Sequence, residues 1–203
     1  MSLRIVGAGL PRTGTSSLKL AIEHLTGEPC YHMFELLERA DAHVPLWSRV
    51  LGGDLGTFDQ IFEGFGSAVD WPAAVFWREL SESNPDAIIV LTYREDAETW
   101  WRSVDTTVWR LMRERRDAGE DTDWIDQMRG RFHAPLDDPA GAMAAYERHN
   151  DEVRASIAPD RLVEVTPGDG WAPLCAALGV EAPADPYPHA NTTAEFHAFA
   201  GWA

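Results

Sequence analysis

Apolar residues along this chain follow two alternating patterns. Short runs rich in β-branched residues at Leu3–Gly9, Ser67–Asp70, Ala87–Tyr93 and Leu162–Val165 read as strands. Helical spacing takes over between them. Leu18, Ala21, Ile22 and Leu25 line one face after the first run, and Ala73–Leu80 follows the second. Trp100, Val104, Val108 and Leu111 predict one long helix after the third. Gly141–Ile157 predicts a further helix, and Pro173–Leu178 a short one after the fourth strand. Strands alternating with helices predict an α/β fold, with a mainly parallel sheet covered on both faces. Segments 31–65 and 110–139 carry no strand pattern and are expected to form a helical cap. The tail from Pro183 onward, rich in proline and aromatics, is expected to wrap the surface. No repeat or low-complexity linker divides the chain, so residues 1–203 read as one domain, a length that suits this class.

The turn after the first strand carries the first chemical signal. In GLPRTGTSSLK, Gly9 and Gly14 bracket four residues and Thr15-Ser16 follow. That is the spacing of a nucleotide-binding G-x-x-x-x-G-K-[ST] loop, with Thr15 standing where the lysine belongs. A strand, a glycine turn and a helix whose first N–H groups face an anion remain available. Arg12 adds a planar cation that can grip phosphate or sulfate oxygens. Read plainly, the same residues are a strand-to-helix turn with Thr13 or Thr15 as N-cap. A second group falls at the same edge of the expected sheet. Arg94 ends the third strand, Ser103 lies on the next helix, Asp70 ends the second strand and Thr166 follows the fourth. Ligands of parallel α/β sheets bind beyond the carboxyl ends of the strands. Taken singly, Arg94 reads as a surface ion pair and Trp100 or Trp101 as core.

Charge narrows the partners. The net charge of −16 opposes nucleic acid, anionic membrane surfaces and polyanionic sugars. A small anionic ligand remains where cations cluster. Lys19 is the sole lysine, so any step needing one has a single candidate. No apolar run approaches the ~20 residues that span a bilayer. The start of the chain reads as a strand rather than a secretory signal. Cys30 and Cys175 make no disulfide framework and fit a reducing cytoplasm. The histidines and cysteines show no metal-ligand spacing, so no metal is expected.

The stretches GLPRTGTSSLKLAIEHL, CYHM, VDWPAAVFWREL, LTYREDAETWWRSV, HNDEV and GWAPLCAALGVEAPADPYPHAN, in this order, resemble the sulfotransferases that use 3′-phosphoadenosine-5′-phosphosulfate. The likeness is to a short branch with an R-T-G-T loop. It implies a P-loop-like core whose loop, here Arg12, Thr13, Gly14, Thr15 and Ser16, cradles the 5′-phosphosulfate. It implies that Arg94 and Ser103 hold the 3′-phosphate, and that the general base is Asp70 of the D-W-P motif. The chain departs from the better-studied cytosolic members in three places. Arg12 replaces a loop lysine, Ser17 replaces a tryptophan that stacks on adenine, and Asp70 replaces a histidine base. His32 of CYHM is a second candidate for the base or for a bond to the acceptor; a structural role serves equally for it, and is the expected one for His149. Sulfuryl transfer needs less help from a metal than phosphoryl transfer, in keeping with a loop poor in metal ligands.

The expected function is therefore sulfuryl transfer to a hydroxyl or amine of a small acceptor. Met33, Phe34, Trp47, Phe58 and Phe62 in the cap suggest an apolar or aromatic one, unless they are core. A homo-oligomer is compatible with these features. The rivals are a small-molecule or nucleotide kinase, disfavoured by Thr15 at the lysine position, and a binding protein that has kept the fold without catalysis.

Overall fold

The structure, a computed structural model, describes residues 2–120 and 123–202. Strands β1 (Ile5–Gly7), β2 (Cys30–Tyr31), β3 (Ser67–Ala68), β4 (Ile88–Thr92) and β5 (Leu162–Val165) form one sheet in the order β2-β3-β1-β4-β5. Every pairing is parallel, with Ile5 opposite both Ser67 and Ile88. All carboxyl ends therefore share one edge. Alternation along the strands feeds two apolar layers. Val6, Ala68, Ile89 and Leu91 face one core, and Ile5, Val69 and Val90 face the other.

The smaller layer is closed by α1 (Thr15–Thr26) through Leu18, Ala21 and Ile22, and later by α10 (Ala172–Leu178). Opposite lie α2 (Met33–Glu38), α3 (Ala40–Leu51), α4 (Phe58–Ile61) and α5 (Trp77–Ser83). They are joined by α6 (Ala97–Asp105), α7 (Val108–Asp117), α8 (Asp123–Phe132) and α9 (Pro139–Ser156). A final helix, α11 (Thr193–Phe199), lies in the tail.

The two-layered parallel α/β plan matches the expectation, and three details correct it. Tyr31 belongs to an edge strand, not to the cap. Two residues of β2 are too few for a period to register in the sequence. The long helix expected after the third strand is two. It breaks at Thr106–Thr107, where Thr107 is buried and its hydroxyl donates to the Ser103 carbonyl at 2.5 Å, diverting the chain. The tail contains a helix begun by a capping box between Thr192 and Glu195.

The described cap residues divide between the expected roles. Trp47 and Phe62 are fully buried and pack against each other and Tyr31, so they are core. Met33 and Phe34 remain partly exposed at a cavity.

Candidate active site

The loop after β1 is shaped by close approach. A Cβ on Gly9 would overlap the Thr92 hydroxyl at the end of β4. Thr13 Oγ1 donates to the Leu10 carbonyl at 2.6 Å and meets Thr92 Oγ1 at 2.6 Å. A carbonyl can only accept, so the Thr92 hydroxyl donates to Thr13. Arg12 (φ 70°) and Gly14 (φ 101°) both take left-handed backbone. The N-cap of α1 is Gly14, without a side-chain cap, rather than Thr13 or Thr15. Both threonine hydroxyls are committed elsewhere, that of Thr15 to Asp70 Oδ1 at 3.1 Å. The first intrahelical bond runs from Leu18 N–H to the Gly14 carbonyl, so the N–H groups before it lack helical partners. An uncapped N-terminus of this kind favours an anion.

Three side chains fasten the loop from behind. His149, a buried residue of α9, bonds the Ala8 carbonyl through Nε2 at 2.7 Å. Trp100 Nε1 donates to the Pro11 carbonyl at 3.0 Å, and Arg94 Nε to the Arg12 carbonyl at 2.8 Å. His149 thus has a structural bond, and Trp100 is core, fully buried and stacked on Tyr146.

The loop separates two cavities. The first, about 240 Å³, is bounded by Arg12, Thr13, Gly14, Thr15, Ser16, Ser17, Arg94, Thr166 and the tail segment from Tyr187 to Thr193. The second, about 130 Å³, is mostly apolar, with Phe34, Leu37, Trp71, Leu111, Trp124 and Phe196 among its walls. Arg12, Thr15 and Asn191 border both. His32 and Asp70 border only the second. Ser103 borders neither; its hydroxyl accepts from Arg12 Nε at 3.2 Å. Arg12 also donates from Nη1 to the Asn191 carbonyl at 2.7 Å and from Nη2 to Thr193 Oγ1 at 3.4 Å. Lys19 faces away, paired with Glu23 at 2.6 Å and Glu35 at 3.0 Å.

The two candidate bases touch. His32 Nε2 lies 3.3 Å from Asp70 Oδ2 and 3.3 Å from Ser16 Oγ. His32 is the N-cap of α2, and its Nδ1 accepts the Phe34 N–H at 3.2 Å. An accepting Nδ1 places the single proton of a neutral imidazole on Nε2. Burial holds the ring neutral by pushing its pKa down, to about 3. The Nε2–H is therefore a donor toward Asp70. Asp70, buried and with φ 63°, has its pKa raised by the same loss of water, to about 7. Hydrogen bonds from Thr15 and the Trp71 N–H oppose that rise. A carboxylate poised near neutrality is suited to proton transfer.

The tail residues of the site were not among those the sequence singled out. Asn191 Nδ2 donates to Ser16 Oγ at 3.2 Å, and the Ala190 N–H to Ser17 Oγ at 3.1 Å. The T-x-x-E run at Thr192–Glu195 was the available signal for a helix there. Among the described residues no cluster of three or more histidine, cysteine, aspartate or glutamate side chains could hold a metal ion. No helix among them is long and apolar enough to cross a membrane.

"Ava biosynthesis cluster protein M" of Aspergillus versicolor is 28% identical over 217 residues, covering 94% of this chain and 82% of that protein. The sulfotransferase domain family matches residues 4–196, nearly the whole length, and the chain belongs to that family.

Proposed function

We propose that the protein transfers a sulfuryl group from 3′-phosphoadenosine-5′-phosphosulfate to a hydroxyl or amine of a small apolar or aromatic acceptor. One observation carries this reading: a polar, cation-bearing cavity and an apolar cavity meet at Arg12 and Thr15, with a buried carboxylate facing only the apolar side. The residues of the polar cavity suit the donor. The free N–H groups of α1, the Arg12 guanidinium and the Ser16 hydroxyl provide donors for its 5′ end, while Thr13, its hydroxyl spent on Leu10, keeps the loop in shape. Arg94 binds the 3′-phosphate, with Ser103 acting through the Arg12 it holds. Ser17 offers no stacking ring, so the adenine is held against Tyr187 and Pro188 of the tail.

The donor supplies an activated sulfuryl group: a bond forms between the acceptor atom and sulfur, the bond from sulfur to the 5′-phosphate oxygen breaks, and adenosine 3′,5′-bisphosphate leaves. Asp70 takes the acceptor's proton on its carboxylate. His32 keeps that carboxylate in place through Nε2–H, its own Nδ1 being occupied as a helix cap. Arg12 stabilises charge growing on the leaving phosphate. A biosynthesis-cluster relative is in keeping with a small-molecule acceptor. The net charge of −16 makes nucleic acid and anionic membranes poor partners.

The test is calorimetric titration with adenosine 3′,5′-bisphosphate and, separately, with ATP and Mg²⁺. Bisphosphate binding without metal is expected. Tight binding of ATP that depends on Mg²⁺, with none of the bisphosphate, would favour a kinase instead.

A further inference from the structure

Helix α11 presents a physical oddity. It contains no buried residue, and Phe199 is 63% exposed. Yet the helix is tied down at several points. Its capping box fixes the first turn, His197 Nε2 bonds the Thr106 carbonyl at 3.0 Å, and beyond it Trp202 Nε1 donates to Glu114 at 2.8 Å. Across the apolar cavity, Phe34 (36%) and Leu37 (42%) of α2 are likewise exposed. Apolar side chains held in water on both sides of one gap gain by covering each other through a third body. A dry apolar cavity of about 150 Å³ accommodates a benzene ring; this one, at about 130 Å³, has space for one ring, with its open side leaving room beyond.

The same helix is joined to the loop. Three of Arg12's five N–H groups are used, on Ser103, the Asn191 carbonyl and Thr193 Oγ1. Two remain, on a side chain that borders the polar cavity. The guanidinium lies 5.6 Å from the Phe196 ring centre.

We infer that α11 is the closing wall of the acceptor pocket, that Phe196 and Phe199 select a flat aromatic acceptor, and that Arg12 links this wall to the donor loop. The inference rests on the sulfotransferase reading for what fills the two cavities. An anion on the remaining N–H groups restrains the guanidinium that restrains the wall. Filling the donor cavity therefore tightens acceptor binding, and by linkage the acceptor tightens the donor product by the same factor.

Calorimetry with 2-naphthol, with and without saturating adenosine 3′,5′-bisphosphate, tests this on the parent and on a Phe196→Ala/Phe199→Ala double variant. Neither ring is buried, so the double variant should fold, with circular dichroism as the check. The expected results are a loss of about 10–100-fold in naphthol affinity in the variant, bisphosphate affinity within about twofold of the parent, and tighter naphthol binding, by about fivefold or more, when bisphosphate is present. Unchanged naphthol affinity in the double variant, with bisphosphate still bound, would overturn the wall while leaving the sulfotransferase reading intact. Failure of naphthol to bind the parent would overturn the assigned acceptor shape. If bisphosphate binds but leaves naphthol affinity unchanged, the Arg12 link is wrong. If bisphosphate does not bind but the double variant still loses naphthol, the wall stands and the sulfotransferase reading fails.

Discussion

The two cavities on either side of Arg12 are built by opposite means. The polar one is floored by the backbone and short hydroxyl side chains of one contiguous loop, and is closed around it by Arg94, the turn after β5 and the tail segment 187–193. The apolar one gathers single side chains from α2, α7, α8 and α11, segments far apart along the chain. A site made by a loop's own conformation tolerates little change, because Gly9 has no room for a Cβ and the Arg12 and Gly14 backbones are left-handed. A site made by side chains on helix surfaces can be re-lined one residue at a time. On the proposed function the contrast separates a fixed donor from an adjustable acceptor, and substitutions can test it from either side.

The largest effect should come from Asp70. Asp70→Asn keeps the shape but cannot accept the proton, so single-turnover transfer should fall by ~10²–10⁴ while bisphosphate affinity hardly changes. A variant that loses bisphosphate binding as well would erase the division between the cavities. Next comes Arg94→Ala, which should weaken adenosine 3′,5′-bisphosphate by about 2–4 kcal/mol. An analogue without the 3′-phosphate should bind parent and variant alike. Equal losses for both ligands would mean that Arg94 acts only by holding the Arg12 carbonyl. Ser103→Ala, removing an acceptor from Arg12, should cost less, roughly 1 kcal/mol.

The raised pKa of Asp70 gives two linked expectations. In the proposed mechanism the ionised form acts as the base, so turnover should climb with pH through about 7 and then level. Folding runs the other way. Between the unfolded value of ~3.9 and the folded value of about 7, the folded protein keeps a proton that the unfolded chain has released. This group therefore contributes less stability as pH rises across that window, on the order of 4 kcal/mol in all, of which roughly 2–3 kcal/mol falls between pH 5 and pH 8. Urea melts of parent and Asp70→Asn at pH 5 and pH 8 should differ by the latter amount; parallel pH dependences would place the carboxyl's titration outside the window. The smallest effect expected is that of EDTA, which should leave bisphosphate binding unchanged.

The same contrast explains what could be read from the chain in advance. The loop was legible because its chemistry is local: Gly9, Arg12, Gly14 and the turn into α1 lie within a few residues. Asp70 and Arg94 were placed correctly at the sheet edge because parallel strands put their carboxyl ends together. The contact between His32 and Asp70 was not legible, since β2 has two residues and shows no period. Nor were the contacts of Arg12 with Asn191 and Phe196, which span nearly the whole chain and exist only once the tail folds back.

The buried indoles also supply an optical signal. Trp71, in the wall of the apolar cavity, lies 5.7 Å from Trp109, which lies 5.9 Å from Trp100, and Trp100 holds the loop carbonyl of Pro11. Rings so close and so firmly packed couple their excited states and give strong near-ultraviolet dichroism. An aromatic molecule entering beside Trp71 would perturb that band at one end of the row, and a shift of the loop would perturb it at the other. The protein therefore holds an internal chromophore with which occupancy of either cavity can be followed without a label.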